Sequence, residues 1–117
     1  MNQMHKHLLA ESELSIDMIE IQHQAYLGDA EAQYKLADIF QKGGGVAKDV
    51  VNAFYWYNKA AQQGNLAAQF NIWYAYLTGE GTKANQQLAK KWYARATLKN
   101  SSSSESIVAQ LIDTVIH

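Results

Sequence analysis

At 117 residues and 48% apolar side chains, the chain is sized for one domain with a single modest core and is too apolar to stay disordered. Eleven acidic residues against ten basic ones leave a net charge of −1, so no net field draws the protein to nucleic acid or to an anionic membrane. The chain has no proline to break a helix, and the absence of cysteine, which excludes disulfides and thiolate chemistry, fits a reducing, cytoplasmic setting.

Residues 1–12 are polar and contain His5 and His7. They lack the apolar centre of a secretory signal, and nothing downstream is long and apolar enough to span a bilayer. A His-x-His pair is half of a metal site at best, and His23 and His117 are remote in sequence, so we expect a flexible, solvated tail and no bound metal. Residues 13–27 read as an N-terminal capping helix. Ser15 is placed as its N-cap, and Leu14 and Ile19 stand in the relation of a hydrophobic staple.

From Gly28 the chain begins a unit that it writes again from Gly64. At a constant offset of 36, Gly28 falls on Gly64, Gln33 on Gln69, Gly43 on Gly79, Gly45 on Gly81, Ala53 on Ala89, Trp56 on Trp92 and Tyr57 on Tyr93. Repetition at one fixed period predicts a stack of like units, here 28–63 and 64–99, each burying its apolar face on a neighbour. Ala32, Leu36, Ile39 and Phe40 recur at helical spacing, as do Ala68, Ile72, Ala75 and Tyr76, which gives each unit a first helix with one apolar stripe. Gly43 and Gly79 end those helices, and Asp49 and Asn85 cap the second ones. Subtracting the period places Met18, Ile21 and Ala25 under Phe54, Tyr57 and Ala61, so the capping helix reads as the second half of a degenerate preceding unit. Residues 100–117 follow the same arithmetic. Ser102 and Glu105 have capping-box spacing, and Ile107, Val108, Leu111, Ile112, Val115 and Ile116 form two apolar rows on a C-terminal capping helix. Those rows lack a partner helix, which raises the expectation of a homodimer through this end, against the alternative that they bury on 88–98.

The order Gly-Asp-Ala-x-Ala-Gln-Tyr-x-Leu-Ala-x-x-Phe-x-x-Gly-x-Gly-Val, followed by Asp49, Ala53, Trp56-Tyr57, Ala60-Ala61 and Gly64, resembles the Sel-one-like repeat, a longer cousin of the tetratricopeptide repeat. The resemblance implies an all-α fold, an α/α superhelical solenoid of about six antiparallel helices, acting as a scaffold for other proteins with no catalytic residues and no cofactor. Trp73 departs from the pattern, standing where Ala37 stands in the first unit and where the family places a small residue. Either the local helix crossing widens or the indole lies on a surface.

In solenoids of this kind partners bind the concave face, lined by the first helices. Opposite the apolar stripe these carry Tyr34, Asp38 and Gln41, then Phe70, Tyr74 and Leu77, then Gln110 and Asp113. We take these as the protein-binding residues, for a peptide or protein partner, because tyrosine supplies contact area and a hydrogen bond at low entropic cost; ordinary surface positions are the alternative. Phe54, Trp56, Tyr57, Trp92 and Tyr93 match core positions of the family and read as packing. Against an enzyme stand the lack of a nucleophile with a plausible base, of a phosphate-binding loop beside a strand, and of any histidine within either repeat. Basic residues are too dispersed for nucleic acid. Two functions remain: an adaptor, or an immunity protein that neutralises a bacterial toxin, a role small members of the family can serve.

Overall fold

The computed structural model describes residues 7–10 and 14–99, the latter without the side chain of Lys99. The expected C-terminal helix over 100–117, with Gln110, Asp113 and the homodimer contact placed on it, lies outside the described residues.

Among the described residues there are five α-helices and no strand: α1 Ile16–Tyr26, α2 Ala30–Lys42, α3 Val50–Gln62, α4 Leu66–Thr78 and α5 Gln86–Ala94, whose last turn widens to π pitch over Arg95–Lys99. Each helix starts at a side-chain oxygen that accepts from a backbone N–H three residues on. The caps are Ser15 to Met18, Asp29 to Ala32, Asp49 to Asn52, Asn65 to Ala68 and Asn85 to Leu88, at 2.8–3.2 Å. The two first helices end on left-handed Gly43 and Gly79 (φ 72° and 84°), whose N–H groups return to Ile39 and Ala75.

The 36-residue translation holds in the contacts as well as in the letters. Asp49 N–H donates to the Phe40 carbonyl and Asn85 N–H to that of Tyr76, both at 2.8 Å, which closes each turn between first and second helix. The buried amides of Gln33 and Gln69 donate to the carbonyls of Ala25 and Ala61 at 3.1 and 3.2 Å. Those carbonyls, at helix C-termini, already accept from the backbone N–H groups of Gly28 and Gly64 at 3.0 Å, so each unit uses a glutamine as a second donor that ties it to the end of the helix before it. The relation of α1 to α2 therefore matches that of α3 to α4. The core follows from this stacking: Leu36, Ala37, Phe40, Trp56, Ala60 and Ile72 are all buried, and alanines at 37, 53, 60, 61 and 68 let the helices approach closely.

Two expectations fail. Residues 7–9, read from sequence as part of a solvated tail, dock on α1 and α3, with Leu8 and Leu9 against the core. The groups that anchor them, on Gln22 and Trp56, are distant in sequence, so no local signal marks the segment. Tyr93, read as packing, is 47% exposed. Its image Tyr57 is buried because α4 lies across it, whereas α5 is the last described helix. Trp73 resolves as half-buried, its ring tilted against Tyr93 at 5.4 Å, so the indole fills part of the seam between α4 and α5 and leaves the rest to solvent.

Candidate functional site

Cap geometry and the apolar stripe fix how α2 and α4 are rotated, and that rotation sets which side chains face outward. On α2, Tyr34, Asp38 and Gln41 are each half-buried and each already engaged. The Tyr34 ring lies 5.7 Å from that of Tyr57. Asp38 accepts from the Tyr57 hydroxyl at 3.2 Å and pairs with Lys42 at 3.0 Å. The Gln41 amide donates to Glu80 at 3.2 Å, tying α2 to the turn after α4.

On α4 the corresponding side chains are far freer: Phe70, Tyr74 and Leu77 are 37%, 50% and 41% exposed. Spaced at i, i+4 and i+7, they form one continuous strip along the helix. Gln41 and Tyr74 line a shared depression of about 130 Å³ whose floor includes Tyr57 and whose rim includes Glu80. Leu77 lines a second, wider and largely apolar hollow of about 460 Å³ with Trp73, Ala89, Lys90 and Tyr93. Phe70 meets Tyr93 edge-on at 6.4 Å. Six of the eight sequence-derived positions are thus placed; the other two, Gln110 and Asp113, lie outside the described residues.

Trp73, Glu80 and Tyr93 were absent from that set. Each carries a signal in the repeat alignment: Trp73 replaces Ala37, Glu80 puts a carboxylate where the first unit has Gly44, and Tyr93 loses the acceptor its image enjoys because Tyr74 replaces Asp38. Among the described residues no group of histidine and carboxylate side chains could hold a metal ion. Nor is any helix there long and apolar enough to cross a membrane. Asn52 binds His7, the described half of the His-x-His pair.

Burial, and after it the Asp38 carboxylate, holds the Tyr57 phenol well above the ordinary tyrosine value of 10.0. The unfolded chain therefore gives up this proton first, and the contribution of Tyr57 to stability, complete below pH 10, falls as the pH rises beyond it. We expect a loss of up to about 1.4 kcal/mol per pH unit from this residue. Urea unfolding between pH 8 and 11 checks it: Tyr57→Phe should flatten the alkaline slope, and an unchanged slope would show that the phenol is not responsible.

Residues 30–65 and 66–101 each match the Sel1 repeat. The chain belongs to the Sel1 repeat family. Among curated relatives, this Sel1 repeat chain is 35% identical over 69 residues to HRD3B, a component of an ERAD-associated E3 ubiquitin-protein ligase from Arabidopsis thaliana. It is 38% identical over 74 residues to the chitin synthase regulator SKT5 of Saccharomyces cerevisiae. These matches cover 59% and 62% of the chain but only 11% of each relative, so the chain spans about a tenth of the length of either. Among solved structures, a Sel1 repeat protein from Oxalobacter formigenes superposes with a TM-score of 0.67 at 30% identity, covering 77% of this chain and 68% of that one. A protective antigen present in uropathogenic Escherichia coli strains, which displays the same fold, gives 0.69 at 28% identity over 72% of this chain and 18% of that one. The α/α solenoid of paired helices is thus the fold of the family as well as of this chain.

Proposed function

We propose that the protein is a non-catalytic interaction module, an adaptor that holds a peptide or protein partner on the face carried by α2 and α4. The observation that carries this reading is the exposed strip of Phe70, Tyr74 and Leu77, flanked by the hollow of Trp73 and Tyr93. Large apolar side chains aligned on one helix face, rimmed by Gln41, Glu80 and Lys90, have the make-up of an interface centre with a polar margin. Membership of the Sel1 repeat family supports the reading. So do two relatives named as an enzyme-complex component and an enzyme regulator, since both names describe proteins that work through other proteins.

The partner's complementary element is an amphipathic helix or a linear segment with apolar side chains at matching intervals, because the strip is narrow and one helix long. Capture by the tagged chain from its native host, with mass spectrometry of what is retained, tests the proposal. Tyr74→Ala is expected to weaken capture about tenfold or more while the melting temperature moves by no more than about 2 °C, since half of the side chain is already in solvent. A multi-protein assembly would support the adaptor, a single toxin would make the chain an inhibitor, and co-purification of a small metabolite without protein would overturn both. Asp38→Ala is the poorer probe. It strands the Tyr57 hydroxyl, at a cost of about 1 kcal/mol unrelated to any partner.

A further inference from the structure

We infer that the groove between α1 and α3 is a second peptide-binding site, held in cis by the chain's own residues 7–9, and that it takes from a partner a linear segment with histidine two residues ahead of leucine. The site reads main chain first. The side-chain amide of Gln22, itself only 3% exposed, accepts from Leu9 N–H at 2.7 Å and donates to the Leu9 carbonyl at 2.8 Å. The Trp56 indole N–H donates to the His7 carbonyl at 3.1 Å. Three backbone groups of one short non-helical segment are thus bound by side chains of two separate helices, which is how peptide grooves obtain affinity without dictating sequence.

Specificity comes from the ring. His7 stacks on Tyr55 with centroids 3.8 Å apart and planes within 11°. Its Nδ1 lies 2.6 Å from Asn52 Oδ1. The other half of that amide donates to Asp49 at 3.1 Å, so Oδ1 is the acceptor and Nδ1 carries the proton. Leu8 and Leu9 then pack against the core.

Apart from Trp56, these readers are not part of the repeat scaffold. Thirty-six residues on, Asn52 and Tyr55 become Leu88 and Lys91, Gln22 becomes Asn58, and Arg95 lies over the ring of Trp92 at 4.6 Å. Gln22, on the same helical row as Met18 and Ala25, is a polar side chain in an apolar stripe, and its amide is satisfied by the bonds to Leu9. Because Leu9 precedes Ile16 by seven residues, the cis segment competes at high effective concentration and masks the groove.

The test therefore weakens the cis segment in the full chain. A fluorescein-labelled peptide of residues 4–11 is titrated by anisotropy into wild type and into the Leu8→Asp, Leu9→Asp variant. The variant is expected to bind at least about ten times more tightly than wild type, and adding Gln22→Ala should abolish the gain. Tyr74→Ala in the same background should change nothing, which separates this groove from the face carried by α2 and α4. If the double variant loses its helical circular dichroism, His7→Ala alone supplies the same comparison. A helical variant that binds no better than wild type, or that still binds with Gln22 removed, overturns the inference. So does a wild-type dimer held by exchanged segments, because a second copy would then be the occupant.

Discussion

Trp56→Ala is expected to cost about 3–5 kcal/mol, a large share of what a domain of this size has to lose. The two repeats carry the same tryptophan, yet the structure makes them unequal. Trp56 is 3% exposed, sits edge-on to Tyr55 at 5.0 Å, and holds the His7 carbonyl through its indole N–H. Trp92, 8% exposed, sits on the last described helix with the guanidinium of Arg95, itself bonded to the Gln62 carbonyl, over one face of its ring, so part of its surroundings is a charged group in place of an aromatic neighbour. Trp92→Ala should therefore cost less than Trp56→Ala. Urea denaturation reads the difference as a shift in midpoint at constant slope. Equal losses at the two sites would mean that the neighbours of each tryptophan matter less than its place in the repeat. Trp56→Phe should fall between, keeping most of the buried area while releasing residues 7–9, which the fluorescence of a probe on that segment would report.

Where a residue's role depends on neighbours within about four positions, it was legible in the sequence. Asp49 and Asn85 cap α3 and α5 because a cap is a local bond, and Gly43 and Gly79 stop α2 and α4 because a left-handed residue is a local conformation. The repeat added one long-range constraint, since a second copy has to stack on the first. What it left hidden is whatever differs between the copies. Tyr57 and Tyr93 are the same letter at the same phase, but one has Asp38 and α4 beside it and the other does not. Gln41 reads as surface and is tied to Glu80 across 39 residues. Gln22 has its partners at Leu9, thirteen positions away, beyond the reach of any helical pattern. The site is likewise half legible: the strip on α4 follows from helical phase, whereas the engagement of Tyr34, Asp38 and Gln41 on α2 depends on α3 and on the turn after α4.

The same asymmetry makes the second large prediction. Gly45 and Gly81 hold one place in the two turns, with φ of 89° and 83°, so either glycine-to-alanine change incurs the strain of a left-handed side chain, about 1–2 kcal/mol. What a new methyl group meets differs. At Gly45 it would reach the sulfur and methyl of Met18 at 3.7 and 3.8 Å, ordinary contact with the far end of a flexible side chain. At Gly81 it would collide with the Val50 carbonyl oxygen and press on Phe54 Cβ at 3.2 Å. That carbonyl is in the first turn of α3 and cannot swing away without disturbing the start of the helix, so overpacking adds about 1–3 kcal/mol. Gly81→Ala should then lower the melting temperature by roughly 4 °C or more beyond what strain alone removes at Gly45→Ala, on the scale of about 4 °C per kcal/mol for a domain a little over 100 residues long. Matching melting curves would mean that the turn between α4 and α5 can retreat from α3. Since that turn also carries Glu80, a retreat would loosen its hydrogen bond to Gln41 and the rim of the depression around Tyr74, so Gly81→Ala should weaken partner capture even at temperatures where the chain remains folded.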